Sequence, residues 1–167
     1  MRTTTDPTLD RLLRHMAWAN AALFDRLAAG SDEDLALAAP HNDWPAGRIL
    51  AHLVNAAGGY AARLEGLPRV EQAAVPTTVG ELASLAARCA GYDARIRAQA
   101  AFPDGPASYD EPGADVWQRS TVAAQAIHHA TEHRAQIAGA LATNGVDTID
   151  LDALDLWAFT EAEDGGA

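Results

Sequence analysis

Four long stretches of this chain place apolar residues three and four apart, and each is bounded by glycine or proline. That period matches the turn of an α-helix, and no period-2 alternation competes with it. Leu9, Leu12, Leu13, Met16, Leu23, Phe24 and Leu27 mark a first helix from Pro7 to Ala29, closed by Gly30-Ser31. Arg11, Arg14, Asp25 and Arg26 give it a wet face. Trp44-Pro45 opens a second helix, in which Ile49, Leu53, Ala56, Tyr60 and Leu64 form the apolar side before Gly66 and Pro68 end it. Thr78 and Glu81 have the spacing of a capping box for a third helix carrying Leu82, Leu85, Cys89, Tyr92 and Ile96. After a Pro-, Gly- and Asp-rich loop over 103–115, a fourth and longest helix is expected from Asp115 or Val116 to Asn144-Gly145. Leu151, Leu154, Leu156, Trp157 and Phe159 then read as a short terminal helix ahead of an acidic tail.

These elements predict one all-α domain over residues 1–167, a four-helix bundle with a short C-terminal helix. Connections of about ten to fifteen residues exceed the two to eight usual in simple up-and-down bundles and leave room for crossovers. The low aromatic share of 6% and the absence of lysine agree with a helical protein built on Ala, Leu, Arg and Glu, and exclude a lysine Schiff base. A net charge of −11 opposes nucleic-acid binding, because phosphate contacts need cations. No run approaches the roughly 18 apolar residues of a membrane span. The single cysteine has no intramolecular partner, and Met1 to Pro7 has no apolar stretch behind its charge, so a cytoplasmic location is expected.

The chemistry-bearing residues are histidines. His129 and His133 are four apart and share one face of the fourth helix, while His52 lies in the second. On a helix turning about 100° per residue, Val122, Gln125, His129, His133, Gln136 and Ala140 fall on one stripe, expected to face the core. Buried, unpaired imidazoles and amides cost about 1–3 kcal/mol each. A divalent metal bound by His52, His129 and His133, with Gln125 and Gln136 holding the second ring nitrogens, would satisfy them together. A hydrogen-bonded bundle interior is the competing account of the same stripe.

Several pieces then resemble the DinB/YfiT-like family: Met16-Ala17-Trp18-Ala19-Asn20, Ile49-Leu50-Ala51-His52-Leu53, the run from Gln125 through His129-Ala-Thr-Glu132-His133-Arg134 to Ile137, and Asp150-Leu151-Asp152 with Asp155-Leu156-Trp157. They follow the family's order along almost the whole chain. The resemblance implies an up-down-down-up crossover bundle and a divalent ion, zinc or nickel, on residues matching His52, His129 and His133. It also implies homodimers and thiol-dependent transferase or isomerase chemistry using mycothiol or bacillithiol.

Three imidazoles leave an open coordination position, where a thiol or water would be acidified to attack a small-molecule substrate. Glu132 is a candidate catalytic base, and Arg134 and His15 are candidate substrate contacts. His129-Ala-Thr-Glu132-His133 also has the H-x-x-E-H form of inverted zinc peptidases, but too little chain follows for the further ligand and cleft. Two other classes stay open: a non-catalytic metal- or ligand-binding bundle, and a metal-dependent hydrolase. His128 is expected to face a neighbouring helix or solvent and His41 to be solvated, with Cys89 as an inert core thiol and Trp18 and Trp157 as packing anchors.

Overall fold

The computed structural model describes residues 6–40 and 42–165, so the expectation for His41 lies outside the described residues. Helix α1 runs Pro7–Ala28; Asp6 caps it by accepting from the Thr8 and Leu9 amides, and Pro7 occupies the first turn, where no amide is needed. Helix α2, Ala46–Glu65, follows Pro45 and ends at Gly66, whose φ of 67° is the left-handed cap that a side chain would strain. Thr78 and Glu81 form the expected capping box, and α3 spans Leu82–Gln99.

Helix α4 spans Arg119–Ala142, starting later than the sequence predicts. The reason is a contact distant in sequence: β1 (Pro106–Ala107) pairs antiparallel with β2 (Trp117–Gln118) and keeps those residues extended. Asp104, brought close by this ribbon, accepts from the amide and hydroxyl of Ser120 and so caps α4 from the loop. Helix α5, Leu156–Asp164, is capped by Asp155 and takes up most of the expected acidic tail.

Helix α1 packs on α3 and α4, and α2 packs on the same two, so α1 and α2 stand diagonally opposed. Directions follow from the contacts. Asp10 meets Arg97 while Asn20 meets Asp93, so α1 and α3 are antiparallel. Gly58 lies against Tyr92, and Glu65 pairs with Arg95, so α2 and α3 run parallel. His52 meets His133, and Tyr60 meets Gln125, which makes α2 and α4 antiparallel. The order is up-down-down-up, with the parallel α2–α3 pair joined by the long 66–78 crossover. A Cβ on Gly58 would stand 2.7 Å from the Val70 side chain and 2.9 Å from Tyr92, so this close approach requires glycine.

The core divides at the waist. Leu23, Phe24, Leu27, Ile49, Leu50, Val54, Leu85, Ile137 and Leu141 fill one half. Leu13, Met16, Ala57, Ala61, Leu64, Ile96, Val122, Ala126 and Ala130 fill the other. Between the halves in sequence on three helices lie buried polar residues: Asn20, Asp93 and Arg134. The core face of α4 is therefore Val122, Ala126, Ala130, Arg134, Ile137 and Leu141. The histidine stripe is rotated off it: Gln125 and Gln136 are exposed, and His129 is partly buried. This corrects the expectation of a core-facing stripe.

The terminal segment docks on α1 through Phe159, which packs against His15 and Trp18. Trp157, expected as an anchor, is 79% exposed. Phe159, two residues later on this short helix, holds the inward position instead. Among the described residues no helix is long and apolar enough to cross a membrane.

Candidate metal centre

His52 on α2 and His129 and His133 on α4 converge in the seam between those antiparallel helices. Their ligand nitrogens all lie within 4.8 Å of one another. His129 Nε2 is 3.1 Å from His52 Nε2 and 3.0 Å from His133 Nε2. The four-residue spacing stacks the two α4 rings one turn apart, and α2 brings the third ring across. Among the described residues no carboxylate or thiol joins the group.

The electrostatics suit a cation. Burial, and then the neighbouring His133 and His52, push His129 down to about 4. Burial, then His133 and Arg48, also hold His52 below its usual value. Near neutral pH both rings are uncharged, the form in which imidazole binds metal. His133 Nδ1–H donates to Gln136 Oε1 at 2.7 Å, which fixes the tautomer and leaves Nε2 as a lone pair aimed at the cluster. Lone pairs brought this close repel unless a proton or cation lies between them. The three residues therefore fit a divalent ion in both donor chemistry and placement.

The surroundings divide the predicted residues into two groups. Gln136 bonds His133 Nδ1. Gln125 instead lies beside Tyr60, with which it lines a cavity and whose ring packs edge-on to His129. Glu132 is exposed on α4, close enough to Tyr60 to help raise its hydroxyl, which burial raises most. His128 is exposed, as expected.

Arg134 and His15 are corrected as substrate contacts. Arg134 is 3% exposed; its Nη1 donates to Asn20 Oδ1 at 2.7 Å and its Nη2 to Thr131 Oγ1 at 3.1 Å. Lying one residue beyond His133, it turns about 100° toward the core. His15 is buried, with Nε2 2.8 Å from the Leu154 carbonyl, so it holds the terminal segment. Cys89 is a buried thiol that burial and Asp93 raise well above its usual range, consistent with an inert role.

Sequence reasoning passed over Trp44, whose ring lies edge-on to His52, and the pair Asn20 and Asp93. Asp93 carried a signal: it is a carboxylate four residues after Cys89 and three before Ile96, on an apolar stripe where acidic residues are rare.

Fold and site together define a crossover four-helix bundle with a three-histidine cluster in one seam that could hold a divalent metal. The chain belongs to the DinB family, whose model matches residues 1–164. No curated protein matches it.

Proposed function

We propose that this chain is a divalent-metal-dependent enzyme acting on a small molecule, of the thiol S-transferase or isomerase type, with His52, His129 and His133 holding zinc or nickel. The observation that carries this reading is the convergence of three imidazoles with no carboxylate, thiol or further imidazole joining them among the described residues. A structural site would close that position with protein, whereas catalytic sites keep one open. When bound, a divalent ion on three neutral ligands retains its double charge and acidifies a thiol or water beside it.

The chain's own residues supply the rest. Gln136 orients His133, while Trp44 and Tyr60 flank His52 and His129 with ring surface. Glu132, exposed and next to His133 in sequence, is the base that takes the nucleophile's proton. Tyr60 and Gln125 also line an open cavity of about 290 Å³ with Arg63, Tyr109, Trp117 and Thr121, which we assign to the substrate in place of Arg134 and His15. Mycothiol or bacillithiol is the thiol class in view, and a homodimer the assembly.

Metal analysis of protein purified from its native host should find about one zinc or nickel per chain, lost in His133→Ala. Thiol conjugation to a panel of small electrophiles should then require the metal. Metal-dependent ester or amide cleavage without thiol transfer would move the reading to a hydrolase. Stoichiometric metal without turnover would move it to a non-catalytic bundle. Wild-type protein without stoichiometric metal, unaffected by His133→Ala, would refute the site itself.

A further inference from the structure

Asp93 presents a problem of hydrogen-bond accounting. It is 2% exposed, and its Oδ2 accepts from Asn20 Nδ2 at 2.9 Å, with the Cys89 thiol at 3.7 Å. Its Oδ1 is buried with no partner among the described residues. An unsatisfied buried carboxylate oxygen is rare and signals an additional group.

Beside it lies a small cavity of about 10 Å³, lined among others by Asn20, Asp93, Tyr60, Ala126 and His129. That is about the volume one water needs. His129 contributes to the same wall. Its Nε2 is directed at His52 and His133, so the polar atom it has left for the cavity is Nδ1.

We infer that one buried water joins His129 Nδ1–H to Asp93 Oδ1, making Asp93 the positioning residue for the central metal ligand. The water accepts from Nδ1–H and donates to Oδ1, which satisfies both atoms and fixes the His129 tautomer with Nε2 bare. A carboxylate behind a ligating imidazole raises its basicity and holds its ring plane, here through one water. Gln136 serves His133 from the surface, and Asp93 serves His129 from the core. Asn20 continues the chain of bonds to Arg134, so the ligand is anchored to the bundle's polar waist. This inference rests on the metal reading above.

The test is zinc affinity of the apoprotein, measured by competition with a chromophoric chelator, together with a high-resolution crystal structure of the zinc-loaded protein. Asp93→Asn keeps the shape but lets an amide N–H face the water, and should weaken zinc binding roughly 10- to 100-fold. Asp93→Glu keeps the charge and extends it into the water's place, and should stay within about threefold of wild type. A merely structural role would give the opposite order, because asparagine is the better steric match. Cys89→Ala perturbs Asp93 from the other side and should leave affinity unchanged. The crystal structure should show a water within hydrogen-bond distance of both atoms. Equal affinity in Asp93→Asn, or no water in that cavity, overturns the inference while leaving the metal site standing. Wild-type protein that binds no zinc overturns the metal reading and this inference with it. If Asp93→Asn does not fold, Asp93→Glu and the crystallographic water decide.

Discussion

Replacing Asn20 with leucine probes the polar waist where its energetics are most exposed. Asn20 is 2% exposed and mediates between two buried charged groups, accepting from Arg134 at 2.7 Å and donating to Asp93 at 2.9 Å. Hydrogen bonds to charged groups contribute about 1.5–3 kcal/mol each, so losing both costs roughly 3–6 kcal/mol. Leucine returns about 1.5–3 kcal/mol through apolar burial, leaving a net loss of about 2 kcal/mol. For a domain of this size that lowers Tm by roughly 4–8 °C. Urea and thermal melts at pH 7, followed by circular dichroism, measure it directly. Adding Arg134→Met removes the stranded guanidinium, so the double variant should lose at least about 1 kcal/mol less than the two single losses summed. A loss below about 1 kcal/mol for Asn20→Leu, or strict additivity, would refute the claim that Asn20 bridges these charges.

Burial holds His15 below its ordinary 6.5, so the unfolded chain binds this proton first as pH falls. Its stabilisation is complete above about pH 6.5, declines as pH falls toward the folded-state value and is level below it. His15→Gln should flatten that part of the wild-type stability profile, measured by melts between pH 5 and 7. Gln136→Ala removes the acceptor for His133 Nδ1–H and should weaken metal binding about tenfold, the lower end of such effects because water can replace an exposed amide. A chelator competition titration reads this, and unchanged affinity would count against the role. Phe159→Ala should cost about 3 kcal/mol and Trp157→Ala less than about 0.5 kcal/mol, since the first ring is buried and the second 79% exposed. Equal losses in melts would show that α5 is oriented otherwise.

What sequence could and could not reveal divides between local and distant causes. The spans of α1, α2 and α3 were legible because Asp6, Pro45, Thr78, Glu81 and Gly66 act within a few residues of themselves. The start of α4 was not, because Trp117–Gln118 is held extended by Pro106–Ala107 about ten residues upstream. The same distinction governs the site. Four-residue spacing put His129 and His133 on one face, but their meeting with His52 depends on α2 and α4 being ring neighbours. That information came from the resemblance and not from periodicity. The core face of α4 was misplaced because Arg134, a residue normally assigned to solvent, occupies a core position neutralised by Asn20 and Asp93. His15 was misassigned for a related reason: its partner, the Leu154 carbonyl, lies 139 residues away.

The clasp between α1 and the terminal segment has a kinetic consequence. His15 to Leu154, Arg11 to Thr160 and Arg26 to Asp150 are among the most distant contacts in the chain. Closing so long a loop is entropically expensive and little rewarded until α1 is already seated in the bundle. The clasp is thus expected to form late and open first, as a unit of its own in hydrogen exchange. It rests on α1, diagonally across the bundle from α2, so its opening leaves the α2–α4 seam and its histidines in place. The chain breathes at one corner while its chemistry is held at another.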